Sequence, residues 1–173
     1  MRTLSNRFKA QAVWLPDNGI TLAKLEPKLL PLISSKGSLT NALVSLSNNN
    51  FNVKVVSQRV AVPKFHEQIV LGYPLSRAAM IREVELQLFG ISVVFARSII
   101  PLRLVEKKLI TLGSTPLGQV LFSEGKIRIS KRQYAQTSLG LSTVNARRTP
   151  YDYQGAQILV SEFFLPEIYQ YLS

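Results

Sequence analysis

The stretch Met80–Pro101, MIREVELQLFGISVVFARSIIP, predicts the central hairpin of a β-sheet. Apolar and polar residues alternate through Met80–Leu88, which is typical of a strand whose two faces meet different surroundings. Phe89-Gly90 is a turn candidate, and the apolar run Ile91–Ile100 is suited to the returning strand. The fold is therefore expected to be built around an antiparallel pair.

Strand periodicity returns on both sides of this hairpin. Further strands are predicted at Phe51–Val60, Lys126–Tyr134, Ser142–Tyr153 and Ala156–Leu165, the last two joined by a turn at Gln154-Gly155. No internal repeat, low-complexity segment or linker separates them. The strands are therefore expected to belong to one sheet.

Short helices are predicted between these strands. Residues 22–33 carry leucines at helical spacing, although Pro27 and Pro31 must break or kink the helix. Ser38 is the expected N-cap of the next helix, and two more helices are expected at Leu102–Thr111 and from Pro116. The predicted fold class is α+β, a single antiparallel sheet with helices packed around it. This domain comprises residues 21–173, and residues 1–20 form an arm without an assigned role.

The charge balance narrows the class of partner. The chain has 21 Lys and Arg against 10 Asp and Glu, a net charge of +11. Nucleic acid, a membrane surface and a small anionic substrate would all suit it. No nucleic-acid partner is expected, because the basic residues are scattered and no helix-turn-helix, zinc or aromatic RNA-binding motif accompanies them. A basic surface without a specific partner is the alternative.

Composition also bears on the compartment. The most apolar region, Ile91–Leu104, is too short for a membrane span and carries Arg97 and Arg103. No apolar run follows the basic residues at the start, so no secretory signal is expected, and the absence of cysteine excludes a disulfide framework. We expect a cytoplasmic protein. The plastid stroma is the alternative, because an acid-free start with Arg and Ser resembles a transit peptide.

Three charged residues lie on strand faces that alternation predicts to be buried. Each has apolar neighbours two positions away: Arg82 has Met80 and Val84, Arg97 has Phe95 and Ile99, and Glu162 has Val160 and Phe164. A charge in a core is costly, so each must be paired or face a polar ligand. If these strands are neighbours, two guanidinium groups and one carboxylate would line a pocket for a small anion. A structural Arg–Glu pair, or a face open to solvent, is the alternative.

The sequence pattern says less about the remaining candidate site residues. Arg147 and Arg148 lie on the penultimate strand, and alternation does not decide which of them points inward. The one histidine, His66, is expected in an exposed loop. No nucleophile elbow, metal-ligand cluster or glycine-rich phosphate loop is present in the sequence. The predicted chemistry therefore requires neither a metal nor an activated nucleophile.

Four blocks stand out in the second half of the chain: Ile81–Pro101, Leu112–Phe122 (LGSTPLGQVLF), Asn145–Tyr151 (NARRTPY) and Val160–Tyr169 (VSEFFLPEIY). They resemble successive blocks of the chorismate pyruvate-lyase family, in family order and at nearly family spacing. Glu26–Thr40 resembles the family's helical first segment. The resemblance covers roughly residues 22–173, and the combination of TPLG with the terminal Glu-x-x-Leu-Pro is specific.

The resemblance implies a fold, a reaction and a site. Helical flaps would enclose a ligand against the sheet, and a cofactor-independent lyase would convert chorismate into 4-hydroxybenzoate and pyruvate. The protein is expected to be a monomer. The product would supply ubiquinone, plastoquinone or another phenolic compound. The implied residues are Arg82 for the ring carboxylate, Glu162 for the ring hydroxyl, the backbone amides of Leu39 and Leu117 for the carboxylate, and Arg97 and Arg148 for the enolpyruvyl carboxylate.

Two other functions compete with the lyase. Ligand-sensing domains of bacterial transcription regulators have a related fold and bind small molecules without catalysis. The TPLG block, and the absence of a helix-turn-helix segment before Thr21, argue against that class. A basic nucleic-acid-binding module is supported by charge alone and would bind in a salt-sensitive manner.

Overall fold

One antiparallel sheet organises the part of the chain that the computed structural model describes, residues 12–105, 113, 115–123 and 127–172. Its strands are β1 (Leu15–Pro16), β2 (Phe51–Ala61), β3 (Ala79–Leu88), β4 (Ile91–Pro101), β5 (Ile127–Ile129), β6 (Gln133–Leu139), β7 (Ser142–Tyr153) and β8 (Ala156–Phe164). Their order is β1-β6-β7-β8-β4-β3-β2, and β5 also pairs with β7. The predicted fold class is confirmed.

Tight turns join β3 to β4 and β7 to β8, as predicted. Both central residues of each turn have positive φ: 50° and 79° at Phe89 and Gly90, and 51° and 70° at Gln154 and Gly155. Two consecutive left-handed residues match the twist of a two-residue hairpin, and glycine adopts this conformation without a steric penalty. These turns bring the strands of the predicted hairpins into register.

The helices are short and lie between the strands. They are α1 (Gly19–Leu22), α2 (Leu30–Ile33), α3 (Leu39–Leu46), α4 (Phe65–Leu71), α5 (Leu102–Val105) and α6 (Leu117–Ser123), with 3₁₀ turns at Pro27–Leu29 and Pro166–Tyr171. The breaks at the prolines and the cap at Ser38 are confirmed, since Ser38 Oγ accepts a hydrogen bond from the amide of Asn41 at 3.3 Å. No helix among the described residues is long and apolar enough to cross a membrane.

Some elements differ from the sequence-based expectation. The strand predicted at 126–134 is two strands, β5 and β6, separated by Ser130–Arg132. Part of the predicted arm belongs to the sheet, because Leu15 in β1 pairs with Tyr134 in β6. His66 lies in α4 and not in a loop. The helix predicted over 102–111 begins as α5, and residues 106–112 lie outside the described part.

Helices cover both faces of the sheet. On one face, α2, α3 and the C-terminal 3₁₀ turn pack with Leu88 and Phe164, while α5 and α6 pack with Tyr151 and Ile158. On the opposite face, Leu71 from α4 packs with sheet residues such as Ile81. The two covers on the first face meet above the centre of the sheet, and the candidate site lies beneath their junction.

Candidate functional site

A small cavity lies between the first face of the sheet and helices α3 and α6. Its volume is about 50 Å³. The sheet contributes Arg82, Val84 and Leu86 from β3, Ala96 and Ser98 from β4, Tyr151 from β7, and Val160 and Glu162 from β8, while Leu39, Thr40, Leu117 and Leu121 are among the residues above them. The cavity is therefore mainly apolar, and its two charged side chains, Arg82 and Glu162, enter from opposite sides.

Strand register explains why there is space at this point. Ser98 on β4 lies opposite Arg82 on one side and Val160 on the other, and Ala96 lies between Val84 and Glu162. Cross-strand partners share a face, so the two small β4 residues form the floor. The Cα atoms of Arg82 and Glu162 are separated by two strand spacings across the sheet and by two residues along the strand. This corresponds to a distance of about 12 Å. The two charged side chains thus approach the cavity from opposite corners.

Arg82 is buried without a carboxylate partner among the described residues. Its side chain is 2% exposed, and it donates to the carbonyls of Gly113 at 2.7 Å and Thr115 at 3.2 Å. Its Nε finds no hydrogen-bond partner there. Burial lowers the pKa of Arg82 from its ordinary value, but a guanidinium remains charged at neutral pH. This unsatisfied positive group is suited to a bound anion.

Glu162, in contrast, has a positive partner. Arg147 on β7 lies directly opposite it, and the two side chains form a buried ion pair. Arg147 also donates to the carbonyls of Ile33 at 2.9 Å and Ser35 at 3.2 Å. Carbonyls at the end of a helix lack partners within the helix, so a cation is favourable there. Arg147 therefore fixes both Glu162 and the segment between α2 and α3.

The covering helices meet at their N-terminal ends. Leu39 and Leu117 are the first residues of α3 and α6. A Cβ atom on Gly118 would lie 3.5 Å from Thr40 Oγ1, which shows how closely the two ends approach. The first amides of a helix have no partner within it, and their positive ends favour a nearby negative charge. Both residues line the cavity that Arg82 borders.

Arg97 does not reach this cavity, which corrects the expectation from the sequence. It lies opposite Glu83, on the second face of the sheet. There it binds Glu83 at 2.6 Å and Glu67 of α4 at 2.7 Å. Both faces of β4 are buried, so alternation could not identify the face that lines the cavity.

Arg148 is also on the second face, and Arg147 is the inward residue of the pair. Register places Arg148 opposite Ser161, which points away from Glu162. Its guanidinium lies over the ring of Trp14, 4.6 Å from the centroid, and its Nη1 contacts His66 Nδ1 at 3.1 Å. Burial lowers the pKa of Arg148 to about 10. Contrary to the expectation from the sequence, Arg148 therefore does not line the cavity that Arg82 and Glu162 border.

Ser98 and Tyr151 are among the cavity residues that the sequence analysis did not identify. Ser98 had no signal, because it is small and lies in an apolar strand. Tyr151 shares the face of Arg147 by alternation, a signal that becomes usable once the orientation of that residue is known. Its ring packs edge-on against Phe122 at 6.1 Å. Within the described ranges, no group of three His, Asp or Glu residues is placed to hold a metal ion.

Comparison with known sequences agrees with the family resemblance found in the sequence blocks. The family model for chorismate lyase matches residues 8–172. A probable chorismate pyruvate-lyase from Aromatoleum aromaticum is 35% identical over 164 residues, covering 84% of this chain and 88% of that protein. One from Methylococcus capsulatus is 31% identical over 151 residues, covering 79% and 93%. These relatives are bacterial, so they give no support to a plastid location.

Solved structures share the fold at low identity. The effector domain of PhnF from Mycobacterium smegmatis matches with a TM-score of 0.57 and 14% identity, covering 77% of this chain and 91% of that chain. A GntR-family transcriptional regulator from Enterococcus faecalis matches with a TM-score of 0.52 and 15% identity, covering 66% and 94%. At this identity the likeness concerns the arrangement of the sheet and helices alone.

The buried ion pair predicts a large effect on stability. Arg147→Met leaves the Glu162 carboxylate buried without its partner, so the free energy of unfolding should fall by about 3 kcal/mol or more. Urea unfolding measures it. Lys54→Met, at the exposed pair with Glu85, is the matched control and should cost under about 1 kcal/mol. Adding Glu162→Gln to Arg147→Met should recover part of the loss. Equal losses in the two single variants would contradict this assignment.

His66 predicts a dependence of stability on pH. Burial lowers the pKa of this side chain, against the opposing charge of Glu67. The unfolded chain therefore binds the proton more readily, and stability falls as the pH drops through about 6.5. The melting temperature should decrease from about pH 7.5 to about pH 5.5, and the decrease should be smaller in His66→Gln. Since the chain has one histidine, identical profiles for both proteins would refute the prediction.

Proposed function

The chain belongs to the chorismate lyase family, and from this membership we propose that it converts chorismate into 4-hydroxybenzoate and pyruvate without a cofactor. The observation that carries the proposal is the placement of Arg82 and Glu162 on opposite sides of a floor of small residues. A benzoate with a hydroxyl opposite its carboxylate presents a negative group at one end and a hydrogen-bond donor at the other. The two corners of the cavity complement these ends.

Each of the proposed site residues has a distinct role. Arg82 binds the ring carboxylate through its guanidinium, assisted by the backbone amides of Leu39 and Leu117. Glu162 accepts a hydrogen bond from the ring hydroxyl while Arg147 holds its carboxylate in place. Arg97 and Arg148 are not proposed for the enolpyruvyl carboxylate, because they lie on the second face of the sheet.

The proposed reaction needs little from the protein beyond binding and orientation. The bond between the ring and the ether oxygen breaks, the enolpyruvyl group leaves, and the ring carbon bearing the hydroxyl loses its proton. The ring becomes aromatic, which drives the reaction, and the departing enol takes up a proton to give pyruvate. In the proposed binding mode Glu162 would lie beside that ring carbon and would assist the proton's movement. Fixed positive groups would stabilise the shifting negative charge.

The cavity must widen to hold a ligand. Its volume of about 50 Å³ is well below the roughly 300 Å³ or more of typical small-molecule sites. Because α3 and α6 form its cover, we propose that they separate when chorismate binds and again when product leaves. Enclosure of a ring whose carboxylate and hydroxyl are both bound favours a tight product complex and slow release.

The proposal also covers the compartment, the use of the product and the oligomeric state. The cytoplasm is the proposed compartment, and supply of a quinone ring or a related phenolic compound is the proposed use of the product. That the protein acts as a monomer, without nucleic acid as a partner, stays a prediction. None of these attributes alters the assignment of residues within the cavity.

Purified protein incubated with chorismate should yield 4-hydroxybenzoate and pyruvate in equal amounts, above the uncatalysed background. Chromatography of the aromatic products and an enzymatic assay of pyruvate measure the two in parallel. If neither forms while 4-hydroxybenzoate still raises the melting temperature, the domain binds without catalysing. The chain would then resemble the effector domains in function as well as in fold.

Arg82→Met should abolish turnover, because the ring carboxylate loses its charged partner while the substituted side chain keeps most of its volume. Its melting temperature should remain close to that of the parent protein. The matched control is Arg59→Met on β2, where the side chain is half exposed and does not line the cavity; it should retain activity. Full activity in Arg82→Met would refute the assigned site.

A further inference from the structure

A second cavity lies outside the candidate active site, on the side of the sheet where β1 and β6 pair. It is an open groove of about 640 Å³ between β1, the α2–α3 connection and the segment from β5 to β6. Its charged residues are Asp17, Lys36, Lys131 and Arg132, and none of its lining residues lines the first cavity. We propose that this basic groove binds a small oxyanion, a carboxylate or a phosphate.

Arg132 is the central residue of the argument. It is 5% exposed, and its guanidinium is held by Thr149 Oγ1 at 3.1 Å and by the carbonyls of Ser34 at 3.2 Å and Ser35 at 2.7 Å. Its Nη2 is buried and has no hydrogen-bond partner among the described residues. An ionised donor left unsatisfied in the interior costs free energy that an anion would recover.

Comparison of the buried arginines sets Arg82 and Arg132 apart from the others. Arg97 and Arg147 have carboxylate partners, and Arg148 contacts Gln133, His66 and the ring of Trp14. In the described part of the chain, Arg82 and Arg132 are the two arginines that leave a buried nitrogen without a hydrogen bond. Each of them lines a cavity. The reasoning that favours an anion beside Arg82 therefore applies to Arg132.

Two exposed lysines strengthen the charge of the groove. Lys36 comes from the α2–α3 connection and Lys131 from the segment between β5 and β6, so they are brought together by the fold and not by sequence proximity. Neither forms a salt bridge within the described ranges. Asp17 is the one acidic residue of the lining, which leaves two net positive charges. A planar guanidinium that shares a groove with ammonium groups is suited to binding carboxylate or phosphate oxygens.

The groove also adjoins the segment that leads into α3. Arg132 and Arg147 both donate to the carbonyl of Ser35, so an anion on Arg132 would act on the same backbone that Arg147 fixes beside Glu162. If binding to the groove alters the position of this segment, ligands at the two cavities must influence each other reciprocally. The binding proposal is independent of the lyase reaction; the proposed function enters only in the choice of pyruvate as one probe.

The test uses the full chain carrying Arg82→Met, so that the first cavity no longer offers its guanidinium. Pyruvate and inorganic phosphate are titrated separately by isothermal calorimetry at constant ionic strength, because exposed charges are screened by salt. Saturable binding of at least one probe is expected. Lys36→Gln with Lys131→Gln should weaken it by about tenfold or more. Lys24→Gln with Lys28→Gln removes the same charge from another exposed surface and should leave binding unchanged.

The two probes distinguish the sources of the oxyanion. Tighter binding of pyruvate identifies small carboxylates as the class, and tighter binding of phosphate identifies phosphate-bearing molecules. The proposal is overturned if neither probe saturates, or if the two double-lysine variants bind equally. Since no turnover is measured, a chain without lyase activity could still bind in the groove, and an active lyase could fail this test.

Discussion

The buried ion pair between Arg147 and Glu162 is the interaction on which the arrangement of the candidate site depends. Arg147 is 1% exposed and Glu162 is 7% exposed, so neither charge could remain there without the other. The same guanidinium binds carbonyls at the end of α2. One side chain therefore joins the sheet, the acidic corner of the cavity and the helical cover. If it were removed, both the carboxylate and the helix end would lose their partner.

Arg82, at the other corner of the cavity, joins the sheet to the other half of the helical cover. It donates to Gly113 and Thr115, which precede α6, as Arg147 donates to residues that precede α3. Each half of the cover is thus attached to the sheet by a buried arginine. The difference is that Arg147 is neutralised by a carboxylate and Arg82 is not. A ligand carboxylate would give Arg82 the charged partner that it lacks, which is why binding and closure are expected to be linked.

The second face of the sheet has its own network of ion pairs. Arg97 lies between Glu67 and Glu83, and their hydrogen bonds and charges raise its pKa although burial opposes this. Such a network holds α4 on the sheet and leaves little charge for a ligand. The fold is shared with effector domains of transcription regulators, so fold alone does not define an activity. In the described part of this chain, Arg82 and Arg132 are the arginines that leave a buried nitrogen without a hydrogen bond.

The sequence by itself determined the hairpins, the α+β class and the inward positions of Arg82 and Glu162. Each of these follows from local patterns: alternation along one strand, turn residues with positive φ, and a charge flanked by apolar neighbours. The resemblance of the sequence blocks to the family added which residue is proposed to bind each end of the ligand. Arg97, Arg147 and Arg148 could not be assigned in this way. Their faces depend on cross-strand register and on whether one or both faces of a strand are covered, and alternation carries no such information for strands buried on both sides. The position of Arg132 beside Lys36 was likewise decided only by the tertiary structure, because the two residues are far apart in the chain and meet where β5 and β6 are interrupted.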